Sequence, residues 1–169
     1  MNILIVGGAG FVGSYLASSF LKDHKEFHVR VIDNLSTGSL NNIKNLHNYQ
    51  NFEFHIGDAC DLSFIELMMS EQNVIINCIK PKSYDYAVFD NIGSAQNILD
   101  CLDENQHYIY ISSYQVYGPY VTWPHTESSP VCSSDVMTAS IIGSEALALA
   151  HYNQCKRKIT ILRPALLYD

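Results

Sequence analysis

The chain has 169 residues, 47% of them apolar, which suffices for one packed domain and argues against disorder. Ten basic side chains against seventeen acidic ones give a net charge of −7, and no Lys/Arg run forms a basic face, which argues against nucleic acid or anionic membrane as a partner. The apolar runs are too short to span a bilayer, and the opening MNILIV lacks the basic front and cleavage site of a secretory leader. Five scattered cysteines without a CxxC (Cys60, Cys78, Cys101, Cys132, Cys155) read as reduced thiols, so a cytoplasmic location is expected.

Strand and helix patterns alternate along the chain. Residues 2–6 predict a buried strand, and 12–21 carry helical spacing. Residues 28–32 predict a strand ending at Asp33, and 51–56 alternate and end at Gly57-Asp58. Then follow a helix over 62–70, a buried strand over 74–78 and a helix over 91–102. The last elements are a strand over 108–111, a helix over 136–151 and a strand over 159–162. The polar stretch 34–50 reads as a long connection with one helical turn. Residues 118–135, with Gly118, Pro119, Pro124 and Pro130, read as a surface loop. Six apolar strands with helical crossovers predict an α/β fold: a doubly wound parallel sheet of the Rossmann type, in three layers, as a single domain over 1–169.

Gly7-Gly8-Ala9-Gly10-Phe11-Val12-Gly13 follows the first strand and opens the first helix. It fits both GxGxxG and GxxGxxG. Glycines there permit a tight turn and close approach of a pyrophosphate, to which helix-start amides such as those of Phe11 and Val12 can donate. An acid, Asp33, stands twenty residues after Gly13 at the end of the second strand. Its carboxylate can accept the ribose hydroxyls of an adenosine and would repel a 2′-phosphate, which favours NAD over NADP.

Six collinear segments extend this motif: ILIVGGAGFVGS, VIDNLSTG, GDACD, NIGSAQNIL, SSYQVYG and TILRPALLY. On these the sequence resembles the extended short-chain dehydrogenase/reductases, which include the NAD-dependent epimerases and dehydratases of nucleotide sugars. The resemblance implies that Gly7, Gly10 and Gly13 frame the pyrophosphate. Asp33 and Asn34 would meet the adenosine ribose, with Ser36, Thr37 and Gly38 nearby. Asp58 and Ala59 would flank the adenine, and Cys78, Ile79 and Lys80 would follow the fourth strand into the cofactor groove. Asn91, Ser112 and Pro164 would lie beside the cofactor, the last near the nicotinamide. Ser113 falls where the family keeps a catalytic Ser or Thr.

The family's acid–base device is a Tyr-x-x-x-Lys pair, one helical turn apart, in which the ammonium lowers the phenol's pKa from about 10. Here that place is taken by Met137 and Ile141, although Ala139, Ser140 and Glu145 match. Neither replacement can exchange a proton. A literal Tyr-x-x-x-Lys at Tyr152 and Lys156 lies further along, and the resemblance points it away from the cofactor. Ile79 and Lys80 replace two small residues. Ile79 could narrow the groove, and Lys80 could either reach a phosphate or point to solvent. The loop from there to Asn91 reads as short. The chain stops at Asp169, where the family continues into a substrate-binding lobe, so that lobe is expected to be absent.

Other features have plainer readings. His24 and His28 read as a solvated pair, and no metal site is expected. His125 and Glu127 read as loop anchors, and Trp123 as a loop plug or a lid residue. The helix over 136–151 is apolar nearly all round, with a small-residue stripe of Ala139, Gly143, Ala146 and Ala150. The resemblance implies that it and the helix over 91–102 form a homodimer interface. Three functions stay open. The chain is an NAD-binding domain with its acid–base pair lost, or a working nucleotide-sugar enzyme that uses another acid or base (Tyr114, Tyr117 or His125) or borrows a substrate lobe from another chain. Alternatively it is an interaction or regulatory module with a closed groove.

Overall fold

In a computed structural model, which describes residues 1–81, 83–119 and 124–168, the chain forms one six-stranded sheet. Its strands are β1 (Asn2–Val6), β2 (His28–Asp33), β3 (Phe52–Ile56), β4 (Val74–Asn77), β5 (His107–Ile111) and β6 (Lys158–Leu162). They lie in the order β3-β2-β1-β4-β5-β6, and every neighbouring pair is parallel. The order reverses between β1 and β4, and a crevice opens there at the carboxyl ends of the strands.

β1 is central because its side chains are apolar on both faces. Leu4 and Val6 join one core with Ile75, Tyr108 and Tyr110. Ile3 and Ile5 join the other with Ala17, Leu21, Val29 and Val31. This two-residue alternation assigns each strand's side chains to one helical layer or the other.

The helices are α1 (Phe11–Asp23), α2 (Leu40–Ile43), α3 (Leu62–Met69), α4 (Tyr84–Val88), α5 (Ser94–Cys101) and α6 (Val136–Cys155). α1 buries Gly13, Ala17 and Leu21, four apart on one face. α3 and α6 start on aspartate caps: Asp61 accepts from the Phe64 amide at 3.2 Å, and Asp135 from the Thr138 amide at 2.8 Å. α6 stops where Lys156 turns left-handed, at φ 55°.

The elements differ from the sequence expectation in three places. The connection 34–50 holds α2 and then a 3-10 turn (Lys44–Asn48), because Ser39 caps the first and Ile43 and Leu46 bury their side chains in the second core. The stretch before Asn91 is helical: α4 runs through a π turn (Phe89–Gly93) into α5. Exposed Tyr84, Tyr86, Val88 and Phe89 break the amphipathic pattern that would have signalled it. Finally, α6 presents a polar face inward. Thr138, Ser140, Ser144 and Glu145 are buried, whereas Val136 and Leu149 are 51% and 50% exposed.

That inward polar face is fully engaged. The Asn91 amide donates to Ser140 Oγ at 2.8 Å, and Ser112 Oγ donates to the carboxylate of Glu145. Arg163, just past β6, grips Glu145 with Nε at 2.9 Å and Nη2 at 2.7 Å, a bidentate pair. Its Nη1 donates to the Tyr117 hydroxyl at 3.1 Å. Glu145 is 3% exposed, so its charge depends on these partners. Replacing it with alanine leaves a guanidinium unpaired and is expected to cost about 3–5 kcal/mol of stability in urea unfolding. A loss below about 1 kcal/mol would show the pair to be a bystander.

Candidate functional site: a glycine-loop cleft

The reversal point of the sheet holds a cleft of about 320 Å³. Its floor is the turn between β1 and α1. Gly7 adopts φ 74° and its amide donates to the Ile32 carbonyl at 2.9 Å, which turns the chain out of β1. A Cβ on Gly7 would lie 3.0 Å from the Ile79 nitrogen, so the segment after β4 passes directly over this loop. A Cβ on Gly13 would lie 2.6 Å from the Gly7 carbonyl oxygen and from Gly8 Cα, so only glycine lets α1 begin this close to the loop. Gly10 is the N-cap of α1 and has no side chain to offer, which leaves the first-turn amides to whatever enters the cleft.

Asp33 sets the wall on the β2 side. It is 7% exposed, and its two oxygens accept from the Ala9 amide at 2.9 Å and the Leu35 amide at 2.8 Å. Each oxygen keeps a second lone pair for a further donor. Gly38 packs so closely that a Cβ there would lie 2.8 Å from either oxygen. Beside Asp33, Asn34 donates to Asp58 at 3.1 Å and accepts from the Ser36 amide at 3.0 Å, while Asp58 also accepts from the Cys60 amide at 2.8 Å. The two lips meet where Thr37 Oγ1 donates to the Lys80 carbonyl at 3.5 Å.

Fourteen of the expected cofactor residues line this cleft: Gly7, Gly10, Phe11, Val12, Gly13, Asp33, Asn34, Ser36, Thr37, Asp58, Ala59, Cys78, Ile79 and Lys80. Gly38, Asn91, Ser112 and Pro164 stand behind it. Gly38 buttresses Asp33, Asn91 and Ser112 are held by α6, and the Pro164 carbonyl accepts from the Tyr114 amide at 3.1 Å. Sequence reasoning missed Val6, Ile32, Gly57, Cys60 and Asp90. Val6 and Ile32 sit at carboxyl ends of strands, which is where the sheet rule places ligands. Asp90 reaches the cleft only because the π turn exists, for which the sequence carried no signal.

The thiols in the cleft offer no nucleophile. Burial pushes both Cys60 and Cys78 up to about 12, with Asp58 adding to the effect at Cys60, so both stay protonated near neutrality. All five cysteines are free.

The expected catalytic residues do not converge on the cleft. Ser113 caps the 3-10 turn Tyr114–Tyr117 by accepting from the Gln115 amide at 3.2 Å. Tyr117 is buried, receives the Arg163 hydrogen bond and stacks on His125 with ring centroids 4.8 Å apart. Ile141 is 5% exposed within the first core, and Met137 packs against the same core. Tyr152 is half exposed on α6, with the Lys156 ammonium 6.0 Å from its ring centroid, and neither lines the cleft. Trp123 lies outside the described residues. Among the described residues no three His, Cys, Asp or Glu side chains lie close enough to hold a metal, and His24 stacks instead on Phe27. No helix of the described residues is long and apolar enough to cross a membrane.

Comparisons with known proteins place this arrangement. The model of the NAD dependent epimerase/dehydratase family matches residues 3–168. Human dTDP-D-glucose 4,6-dehydratase is 25% identical over 182 residues, covering 99% of this chain and 51% of that protein. The crystal structure of dTDP-glucose 4,6-dehydratase from Bacillus anthracis in complex with NAD superposes with a TM-score of 0.89 at 26% identity, over 96% of this chain and 54% of the other. UDP-glucuronic acid 4-epimerase from Bacillus cereus in complex with NAD gives 0.89 at 25%, over 99% and 57%. The chain thus spans about half the length of the relatives it matches. With its strand order, glycine loop and strand-end acid all in the family's arrangement, the chain belongs to the NAD dependent epimerase/dehydratase family.

Proposed function

We propose that the chain binds NAD in the glycine-loop cleft, is of the lineage that acts on nucleotide sugars, and does not itself perform the lineage's acid–base step. The cleft carries the first part of this reading. Free helix-start amides face a space whose wall is an aspartate with lone pairs to spare, a donor and acceptor set that fits a diphosphate and an adenosine ribose. The NAD-bound structures of the similar Bacillus proteins support it. Bound NAD would supply a hydride acceptor. The residues of this chain would bind and orient it.

The second part rests on Met137 and Ile141. Both are apolar and engaged in the core, so neither can hold or move a proton. General acid–base catalysis contributes about 10²–10⁴-fold, and its loss reduces turnover accordingly. Tyr117 and Ser113 offer no obvious substitute, since each is committed to a hydrogen bond that maintains the loop after β5.

A homodimer through α5 and α6 belongs to the same proposal. The two helices lie side by side, and Gly143 of α6 sits so near Ile92, in the π turn that leads into α5, that a Cβ would fall 2.8 Å from its Cδ1. The outward side of α6 carries Val136, Ala139, Ala146, Leu149 and Ala150, all exposed and all small or apolar. An exposed apolar stripe along a twenty-residue helix favours a partner helix.

Two measurements test these points. NAD at a hundred times its Kd stabilises by about 2.7 kcal/mol, which for a chain of this size is an upward shift of roughly 5–11 °C in thermal unfolding. NADP is expected to shift it little, because the Asp33 carboxylate opposes a 2′-phosphate. No shift with NAD would overturn the binding reading, and equal shifts would overturn the role of Asp33. In light scattering the chain is expected at twice its single-chain mass, and Ala146→Glu on the exposed stripe is expected to halve it. A wild-type chain at single mass would sink the dimer.

A further inference from the structure

The cleft and the region beyond it are built unequally. Its lining comes from the β1, β2, β3 and β4 ends and from the segments that follow them. Nothing from the β5 or β6 ends or from α6 contributes among the described residues, although the sheet brings them alongside. Those groups are spoken for: Ser112 by Glu145, Ser113 by Gln115, and Tyr117 by Arg163. Ile141 is buried, and Ile79 and Met137 pack against the same core cluster, so these three positions offer a ligand no polar group.

One charge in the cleft is also unexplained. Lys80 lines it immediately after Ile79, whose backbone lies against Gly7. Among the described residues no carboxylate comes within ion-pair distance of the Lys80 ammonium. The residue as a whole keeps exposed surface, yet crowding by the cleft wall desolvates the ammonium enough to hold it below the usual lysine range. A cation that has surrendered part of its hydration and has no counter-ion gains most from an arriving anion. In a chain with an overall charge of −7, a cation that lines the same cleft as free helix-start amides stands out.

We propose that the cleft recognises the ADP moiety of its ligand, with Lys80 as a diphosphate-binding residue, and that the nicotinamide half adds little to affinity. The inference rests on the dinucleotide reading above and narrows it. Asp33 takes the ribose hydroxyls, the amides of Phe11, Val12 and Gly13 together with Lys80 take the diphosphate, and the remainder of a dinucleotide extends toward the β5 and β6 ends, where the polar groups are already engaged. Any ligand that ends in ADP then competes on nearly equal terms.

Calorimetric titration of the whole chain with NAD, ADP-ribose, ADP and adenosine tests this, on the wild type and on Lys80→Met. Among the described residues the Lys80 side chain makes no hydrogen bond, and Thr37 bonds only its carbonyl, so the variant keeps the lip contact. An unchanged unfolding midpoint verifies that it is folded. ADP-ribose is expected to bind within about threefold of NAD, a difference well under 1 kcal/mol. Lys80→Met is expected to weaken both by about tenfold or more, the worth of a charge-assisted hydrogen bond, and to leave adenosine unchanged. NAD binding tenfold or more tighter than ADP-ribose would overturn the ADP assignment while sparing the dinucleotide reading. Equal affinities in the variant and the wild type would overturn the role of Lys80. Failure of all four to bind would overturn this proposal and the dinucleotide reading together.

Discussion

The carboxylate of Asp33 joins three parts of the chain: the glycine loop, the end of β2 and the connection that follows it. One oxygen accepts from Ala9 inside the glycine loop, the other from Leu35 at the start of the next connection, and Gly38 closes against both. Leu35 is held at φ 60°, a conformation uncommon for a branched apolar residue, and the hydrogen bond to Asp33 helps to hold it there. The same carboxylate that would meet a ribose therefore fixes the shape of the loop that would meet the phosphates. Binding and folding share one group, which explains why the cleft is pre-formed.

From that constraint the two halves of the crevice diverge. On the β2 side Asp33, Asn34 and Asp58 are each held by backbone amides, and the space stays open. On the β5 and β6 side the polar groups are bonded to one another. Glu145 and Arg163 tie α6 to the end of β6, and Ser112 and Tyr117 complete that network. Such a buried ion pair contributes little net stability over an apolar alternative, but removing either partner is costly. Glu145 lies one helical turn from Ile141 and two from Met137, so this tie holds α6 in place whatever side chains stand at those two positions.

The sheet was legible because its strands are short, apolar and buried on both faces, and the glycine loop and Asp33 carry their geometry in their spacing. All six strands fall within a residue or two of expectation at each end. Harder to see were features set by tertiary contact. The helix through Tyr84–Val88 exposes most of its apolar side chains, so periodicity could not reveal it, and with it Asp90 enters the cleft unannounced. The inward polar face of α6 was hidden for the opposite reason: the helix reads as apolar nearly all round, and its buried Ser140 and Glu145 are understood only once Asn91, Ser112 and Arg163 are seen to meet them. Gly38, Asn91, Ser112 and Pro164 matched family positions in sequence, yet they act at one remove, by holding the residues that form the wall or its backing.

The central claim is that this chain grips a dinucleotide by its adenosine and diphosphate and leaves the other half loose. Saturation-transfer NMR of NAD in exchange with the protein tests it most directly, because each end of the ligand reports separately. The account expects strong transfer to the adenine and adenosine-ribose protons and weak transfer to those of the nicotinamide ring. Equal transfer to both ends would show a complete cofactor site, and no transfer to either would show that the glycine loop and Asp33 serve the fold alone.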